Sequence, residues 1–285
     1  MDRPSSVHPT VQIGKDVRMG AGVTIEQQVV IGDHVQIGAG CRIGSFTLMR
    51  DQVALGAGSM IGSHCILGEL TTEGYRDPVH YQPRPTFVGE GSLIRSHTVI
   101  YAGARLGPGF ESGHHVAIRE ETVIGDHCRV GSFCDLQGHL TVGRYGRFHS
   151  NVHVGQGSQI GSFVWLFPYV ILTNDPLPPS TQIFGCVVDD YAVIATRAIL
   201  LPGVRIGSHA FVGAEAVVRD EVPAGQCATG NPARVIGPAA LLRNKLTGKR
   251  NFPWPRFFDR GMPWEGVGYD VWCAQQHAKG KADGR

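Results

Sequence analysis

The chain has 285 residues, a formal net charge of +2, a hydrophobic fraction of 42% and a charged fraction of 18%. That is enough apolar content for one large or two ordinary packed domains, and it excludes a disordered tail. The small net charge gives no electrostatic case for nucleic-acid binding, and no apolar run approaches the ~18 residues of a membrane span. The opening Met1-Asp2-Arg3-Pro4 has no apolar stretch of the kind a secretory signal needs.

Glycine is the outlier, at 39 residues of 285. There is no G-X-Y period, so the excess points to a repeat that carries glycine. A six-residue period starts at Val7 and holds without a slip to Leu67. It resumes from Val88 to Leu172, and again from Val188 to Ile236. Of 35 register positions only Ser112 and Gly230 are not hydrophobic, and 20 of the 39 glycines directly follow that position. Four residues after it the side chain is usually small or β-branched, as at Val23, Cys41, Ser59, Cys65, Ala104 and Thr122. The pattern predicts a solenoid of short strands and turns. The aliphatic and the small residue point inward, and the glycine serves the bend. One unit cannot bury its own inner face, so coils must stack, at about 4.7–4.9 Å per rung.

Two segments break the period, 69–87 and 174–187. Both are polar and rich in proline, so they read as loops leaving the solenoid, where function often resides. Beyond Ile236, the run from Pro238 to Gly248 is expected to be a short helix capping the last coil. The tail then turns aromatic, with Phe252, Trp254, Phe257, Phe258, Trp264, Tyr269 and Trp272. It is expected to pack on its own or a neighbouring β-helix, with a substrate or acyl-chain cover as the alternative. The division is therefore 1–237 for the solenoid and 238–285 for the helix and tail. Cys41, Cys65, Cys128 and Cys134, four of seven cysteines, fall on the inward small position. They read as core residues of a cytoplasmic protein.

The repeat resembles the hexapeptide-repeat acyltransferase family. The resemblance implies an all-β fold, a left-handed parallel β-helix with three hexads per coil, so that 35 hexads make eleven or twelve coils. Within it, residues 112–175 resemble the branch that N-acylates amino sugars attached to nucleotides. The matching residues are Gly113-His114, Ile118-Arg119-Glu120, Gly138-His139, Thr173-Asn174-Asp175 and Pro178. The run 198–207, Val212-Gly213-Ala214 and Gly230-Asn231-Pro232-Ala233-Arg234 resemble the acyl-CoA-binding coils.

The resemblance implies acyl transfer from acetyl-CoA or another acyl-CoA to the amine of a nucleotide-linked amino sugar, in a homotrimer with sites between subunits. No metal, nucleic acid or membrane is expected. His139 is the expected base, with His114 and Glu120 orienting it or the sugar. Ser112, a polar residue at a core position, must be paired or functional, and is expected with His115, Arg119, Asp135, His149, His153, Asn174 and Asp175 at the acceptor. With 18-residue coils, Glu120 lies one rung from Gly138, and Asp135 shares a column with His153. Thr173, Ala195, Gly213, Ala214, Arg219, Asn231 and Arg234 are expected at the acyl-CoA, the arginines by charge type.

Three alternatives stand beside this reading. The first is another acyltransferase of the same family, acting on tetrahydrodipicolinate or a lipid precursor. The insertion at 69–87 resembles the lipid A O-acyltransferases, but their catalytic histidine aligns with Gly138, one residue before His139. The second is a scaffold without activity. The third is a zinc carbonic anhydrase, which needs histidines two coils apart. The residue 36 beyond His115 is Asn151, and no two histidines are five apart. Seven histidines (His34, His64, His97, His115, His127, His139 and His209) stand three residues after the aliphatic position, so ordinary corner chemistry competes with function at each.

Overall fold

The computed structural model describes residues 5–282. Each hexad contributes one strand, usually of two residues: Ser6–Val7, Gln12–Ile13 and Arg18–Met19 begin the three faces of the first coil. Strands 18 residues on pair in parallel, Thr24 with Arg42 and Ile25 with Ile43. The ladders build sheets of 13, 11 and 10 strands, here called the first, second and third faces. This is a parallel β-helix of about 12 turns, consistent with the expected left-handed form.

The inward pattern follows the hexads. Ile25, Ile43, Met49, Leu67, Ile94 and Ile118 are almost fully buried, as are the small residues Val23, Cys41, Ser59, Cys65 and Thr122. Several buried hydroxyls and thiols find backbone acceptors: Thr47 Oγ1 donates to Gly62 O, and Cys128 Sγ to Gly143 O at 3.0 Å. Burial pushes the Cys128 thiol up to about 12.

The glycine after the aliphatic residue serves a different purpose from the one expected. Along the regular coils it does not make the bend, Gly68 at the exit of the first insertion being left-handed at φ +81°. A methyl group on Gly38 would sit 2.6 Å from Ala57 Cα and 2.8 Å from the Gly56 carbonyl carbon, so the position is kept bare for the next coil. The left-handed bend falls two residues later. Gly40 takes it at φ +71°, but so do His34, Phe46, Gln52 and His64. Histidine tolerates this conformation better than most side chains, and rings at successive corners stack. Phe46, His64, His97, His115 and Phe133 form one column with centroids 4.6–5.1 Å apart.

The register departs from the sequence expectation after Val218. Phe211 pairs with Cys227 and Val212 with Ala228, an offset of 16 residues instead of 18. The hexad that follows Val218 is two residues short, so Val222 and Ala228 are buried, while Ile236 is 64% exposed. Gly230 was therefore never an inward position. The last coil is closed by an antiparallel hairpin, Gln226–Thr229 with Arg234–Pro238. The helix expected over 238–248 shrinks to a 3-10 turn at Ala239–Leu241. Leu246 is 95% exposed, so that segment had no apolar face to bury and nothing to stabilise a helix.

The aromatic tail packs on its own chain. Trp254, Met262, Trp264 and Trp272 join Val193 of the first face and Phe163 of the corner before it in a second apolar cluster. Trp254 Nε1 donates to Tyr191 O at 2.9 Å, and Arg147, buried beneath the tail, donates to Gly261 O at 2.8 Å. Burial there brings the Arg147 guanidinium down to about 10. A helix, Tyr269–Ala282, ends the described chain.

Candidate active site

Both insertions leave the solenoid at the same corner. The first follows Ile66–Glu69 on the second face and rejoins at Thr86–Val88 on the third. The second follows Ile171–Leu172 and rejoins at Val187–Val188. Five rungs of the second face separate their exits, about 24 Å at ~4.8 Å per rung.

The first insertion is tied down at its root. Glu69, nearly buried, accepts hydrogen bonds from the Leu70 amide at 2.6 Å and the Tyr75 hydroxyl at 3.0 Å, and pairs with Arg50 at 3.3 Å. A single helical turn, Thr72–Arg76, follows. From there the segment bends over the corner, where Gly103 N donates to Arg84 O at 3.1 Å. Between segment and corner lies a cavity of about 670 Å³. Thr71, Glu73, Asp77, His80, Tyr81 and Arg84 line it from the insertion, and Glu120, Glu121 and His139 from the coils.

Within this cavity the expected neighbours meet. The His139 amide donates to Glu120 O at 2.9 Å, so the two occupy adjacent rungs. Gly138 lets the backbones approach, since a methyl group there would lie 2.8 Å from that oxygen. Glu120 is held by Arg119 at 3.1 Å, and the Arg119 guanidinium lies over the Tyr101 ring. Arg84 pairs with Glu121 at 2.8 Å.

Other predicted residues lie elsewhere. His114 and His115 sit at the corner between the first and second faces, so His114 does not join His139; His115 belongs to the ring column. Ser112 is fully buried and its hydroxyl is engaged inside the coil. It accepts from the Arg95 amide at 3.0 Å and lies 3.2 Å from Thr98 Oγ1, while Arg95 Nη1 donates to its carbonyl. It is a core residue, not a contact for substrate. Asp135 and His153 are one rung apart as expected and pair at 3.2 Å on the second face. His149 stacks on Phe167 at 4.6 Å, and burial lowers its pKa. Asn174 packs against Gly155, and Asp175 binds its own loop through Ser180 and the Leu177 amide.

The residues expected at acyl-CoA are dispersed. Thr173 Oγ1 donates to Leu200 O at 2.9 Å at the second-to-third corner. Ala195, Gly213 and Ala214 follow first-face strands at the first-to-second corner. Ala195 also lines an apolar groove of about 500 Å³ with Trp165, Phe211 and Phe252. Arg219 follows Val217–Val218, Asn231 lies in the terminal hairpin turn, and Arg234 pairs with Asp220 at 3.7 Å. Asp77, His80, Arg84 and Glu121 were missed as individuals. The sequence flagged the insertion holding the first three, but nothing in it says which coils an excursion folds back upon.

The family model for bacterial transferase hexapeptide (six repeats) matches residues 10–45. A 2,3,4,5-tetrahydropyridine-2,6-dicarboxylate N-acetyltransferase of Staphylococcus aureus is 34% identical over 94 residues, 33% of this chain. The match spans about a third of that relative, 34% of its length. Among solved structures, the UDP-N-acetylglucosamine O-acyltransferase of Moraxella catarrhalis aligns over 81% of this chain and 74% of its own, at 19% identity and a TM-score of 0.47. Soybean serine acetyltransferase aligns over 36% and 43%, at 30% identity and a TM-score of 0.34. The six-residue repeat that the family model describes at residues 10–45 continues through the paired coils of the solenoid. Among the described residues no helix is long and apolar enough to cross a membrane.

Proposed function

We propose that the protein is an acyl-CoA-dependent N-acyltransferase, with an amine on a nucleotide-linked amino sugar as acceptor. The observation that carries this reading is the cavity under the first insertion, where Glu120 and His139 converge from adjacent rungs with titratable groups of the loop. Acyl transfer to an amine needs a free lone pair on nitrogen, so an acceptor held as ammonium must first lose a proton. The nitrogen then attacks the thioester carbonyl, the C–S bond breaks, and the thiol leaves carrying a proton. An imidazole can accept and return a proton near neutral pH and suits that transfer, worth roughly 10²–10⁴-fold.

Thr173, Ala195, Gly213, Ala214, Arg219, Asn231 and Arg234 remain the proposed acyl-CoA contacts. Their spread over two corners and the terminal hairpin suits a groove shared between subunits of a cytoplasmic homotrimer. The similarity to a tetrahydropyridine dicarboxylate N-acetyltransferase favours a second reading, in which the amine belongs to an amino-acid precursor. Thiol release from acetyl-CoA, measured with nucleotide amino sugars, tetrahydrodipicolinate and hydroxyl acceptors in parallel, tests both. Turnover only with the sugars supports the first reading. Turnover only with tetrahydrodipicolinate supports the second, and no turnover with any amine overturns both.

A further inference from the structure

Two histidines line the cavity, and only His80, on the exposed insertion, has a carboxylate on its ring. His80 Nδ1 lies 2.9 and 3.0 Å from the two carboxylate oxygens of Asp77, and the His80 amide donates to the same carboxylate at 3.3 Å. A carboxylate on Nδ1 fixes that nitrogen as the N–H donor and leaves Nε2 as the acceptor. The ring of His139 has no carboxylate within ion-pair distance among the described residues. Its backbone is left-handed, at φ +47°, as it is at the other six corner histidines. His139 therefore fits the corner role that the repeat already explains. His80 belongs to no hexad, and the repeat gives it no purpose.

The charge around the cavity makes a base necessary. Glu73, Asp77, Glu120 and Glu121 line it, with Arg84 the one arginine or lysine among the lining residues, and Arg84 is itself paired with Glu121. Neighbouring carboxylates favour the charged form of an entering amine, so the acceptor arrives as an ammonium that cannot attack.

Building on the proposed N-acyl transfer, we infer that His80, held by Asp77, is the proton acceptor of the reaction, carried by the insertion instead of the coils. His80 Nε2 takes one proton from the ammonium and passes it to solvent, and the freed nitrogen attacks the thioester carbonyl. The nitrogen of the adduct then gives its second proton to His80, which delivers it to the departing sulfur as the C–S bond breaks and is neutral again. Amide and thiol form, one proton is released to solvent, and no further reactant is needed. His139 and Glu120 then position the acceptor. Asp77 is a positioning residue, acting through His80.

Two measurements test this. The nuclear magnetic resonance tautomer signature of the His80 ring in the full chain needs no substrate. The proton of the neutral ring is expected on Nδ1, facing Asp77, and a proton on Nε2 overturns the dyad. For an accepted amine, His80→Asn is expected to lower kcat at least 100-fold with little change in the acceptor KM. Asp77→Asn is expected to lower kcat with little change in KM, and Asp77→Glu to restore most of it. If His80→Asn keeps kcat and the pH profile while His139→Asn loses both, the assignment is wrong and His139 is the base. If no amine is turned over by the unaltered protein, it is the N-acyltransferase reading that fails, and with it the base role, whatever the tautomer.

Discussion

Replacing Trp264 by alanine separates the two apolar clusters. Trp264 is fully buried, packs on Phe163, Trp254, Tyr269 and Trp272 with centroids 5.0–5.8 Å apart, and donates from Nε1 to Phe258 O. A buried tryptophan cut to alanine costs about 3–5 kcal/mol, more where the surroundings cannot collapse. The tail cluster is distinct from the solenoid core, so the loss falls on docking of residues 252–276 and leaves the rungs paired. At about 1.4 kcal/mol per factor of ten, protection of tail amides should fall by roughly two to three and a half powers of ten. Hydrogen exchange read by mass spectrometry compares tail peptides with peptides from 94–172. Loss confined to the tail is the expected result. Unchanged tail protection would refute the packing argument, and equal loss in the coils would show that tail and solenoid unfold as one.

Gly38→Ala and Gly40→Ala should differ although both positions lie in one turn. The first drives a methyl into the next coil's backbone and should lower the denaturant midpoint markedly. The second meets open space and costs only the left-handed conformation, about 1–2 kcal/mol; an equal loss in the two variants contradicts the close-approach reading. Stability should also fall on acidification. Burial lowers the pKa values of His149 and His209 below the ~6.5 of the unfolded chain. The unfolded state then binds more protons, and stability is lost as pH drops through 6.5 towards the folded values. Denaturant midpoints at pH 7.5 and 5.5 measure this. His209→Phe, which keeps a ring on Tyr191, should reduce the difference, and an unaltered pH dependence would exclude His209 as a contributor.

The solenoid was legible because it is local arithmetic. Each hexad states its own inward residues, and coil stacking follows from repetition, so Asp135 beside His153 and Glu120 beside Gly138 could be read by counting. Counting failed where the chain stopped repeating. The two-residue deletion after Val218 left the downstream spacing of six intact, so Gly230 and Ile236 seemed to continue a register already lost. Ser112 marked a true exception, but its explanation is internal: its hydroxyl takes over a rung bond from its carbonyl, which Arg95 occupies. The site itself depends on how residues 69–87 fold back across the corner. That is a long-range contact of irregular chain, and no period encodes it.

The two insertions share one corner, and only paired rungs of the solenoid lie between their exits. Their separation is thus a count of coils. Removing or adding a whole 18-residue coil between Ala104 and Leu166 would leave every neighbour relationship in the ladders formally satisfied while shifting one insertion against the other by a single rung spacing. Dimensions along this edge can change in equal discrete steps without renegotiating a core. In most globular enzymes, resizing a cleft means repacking it.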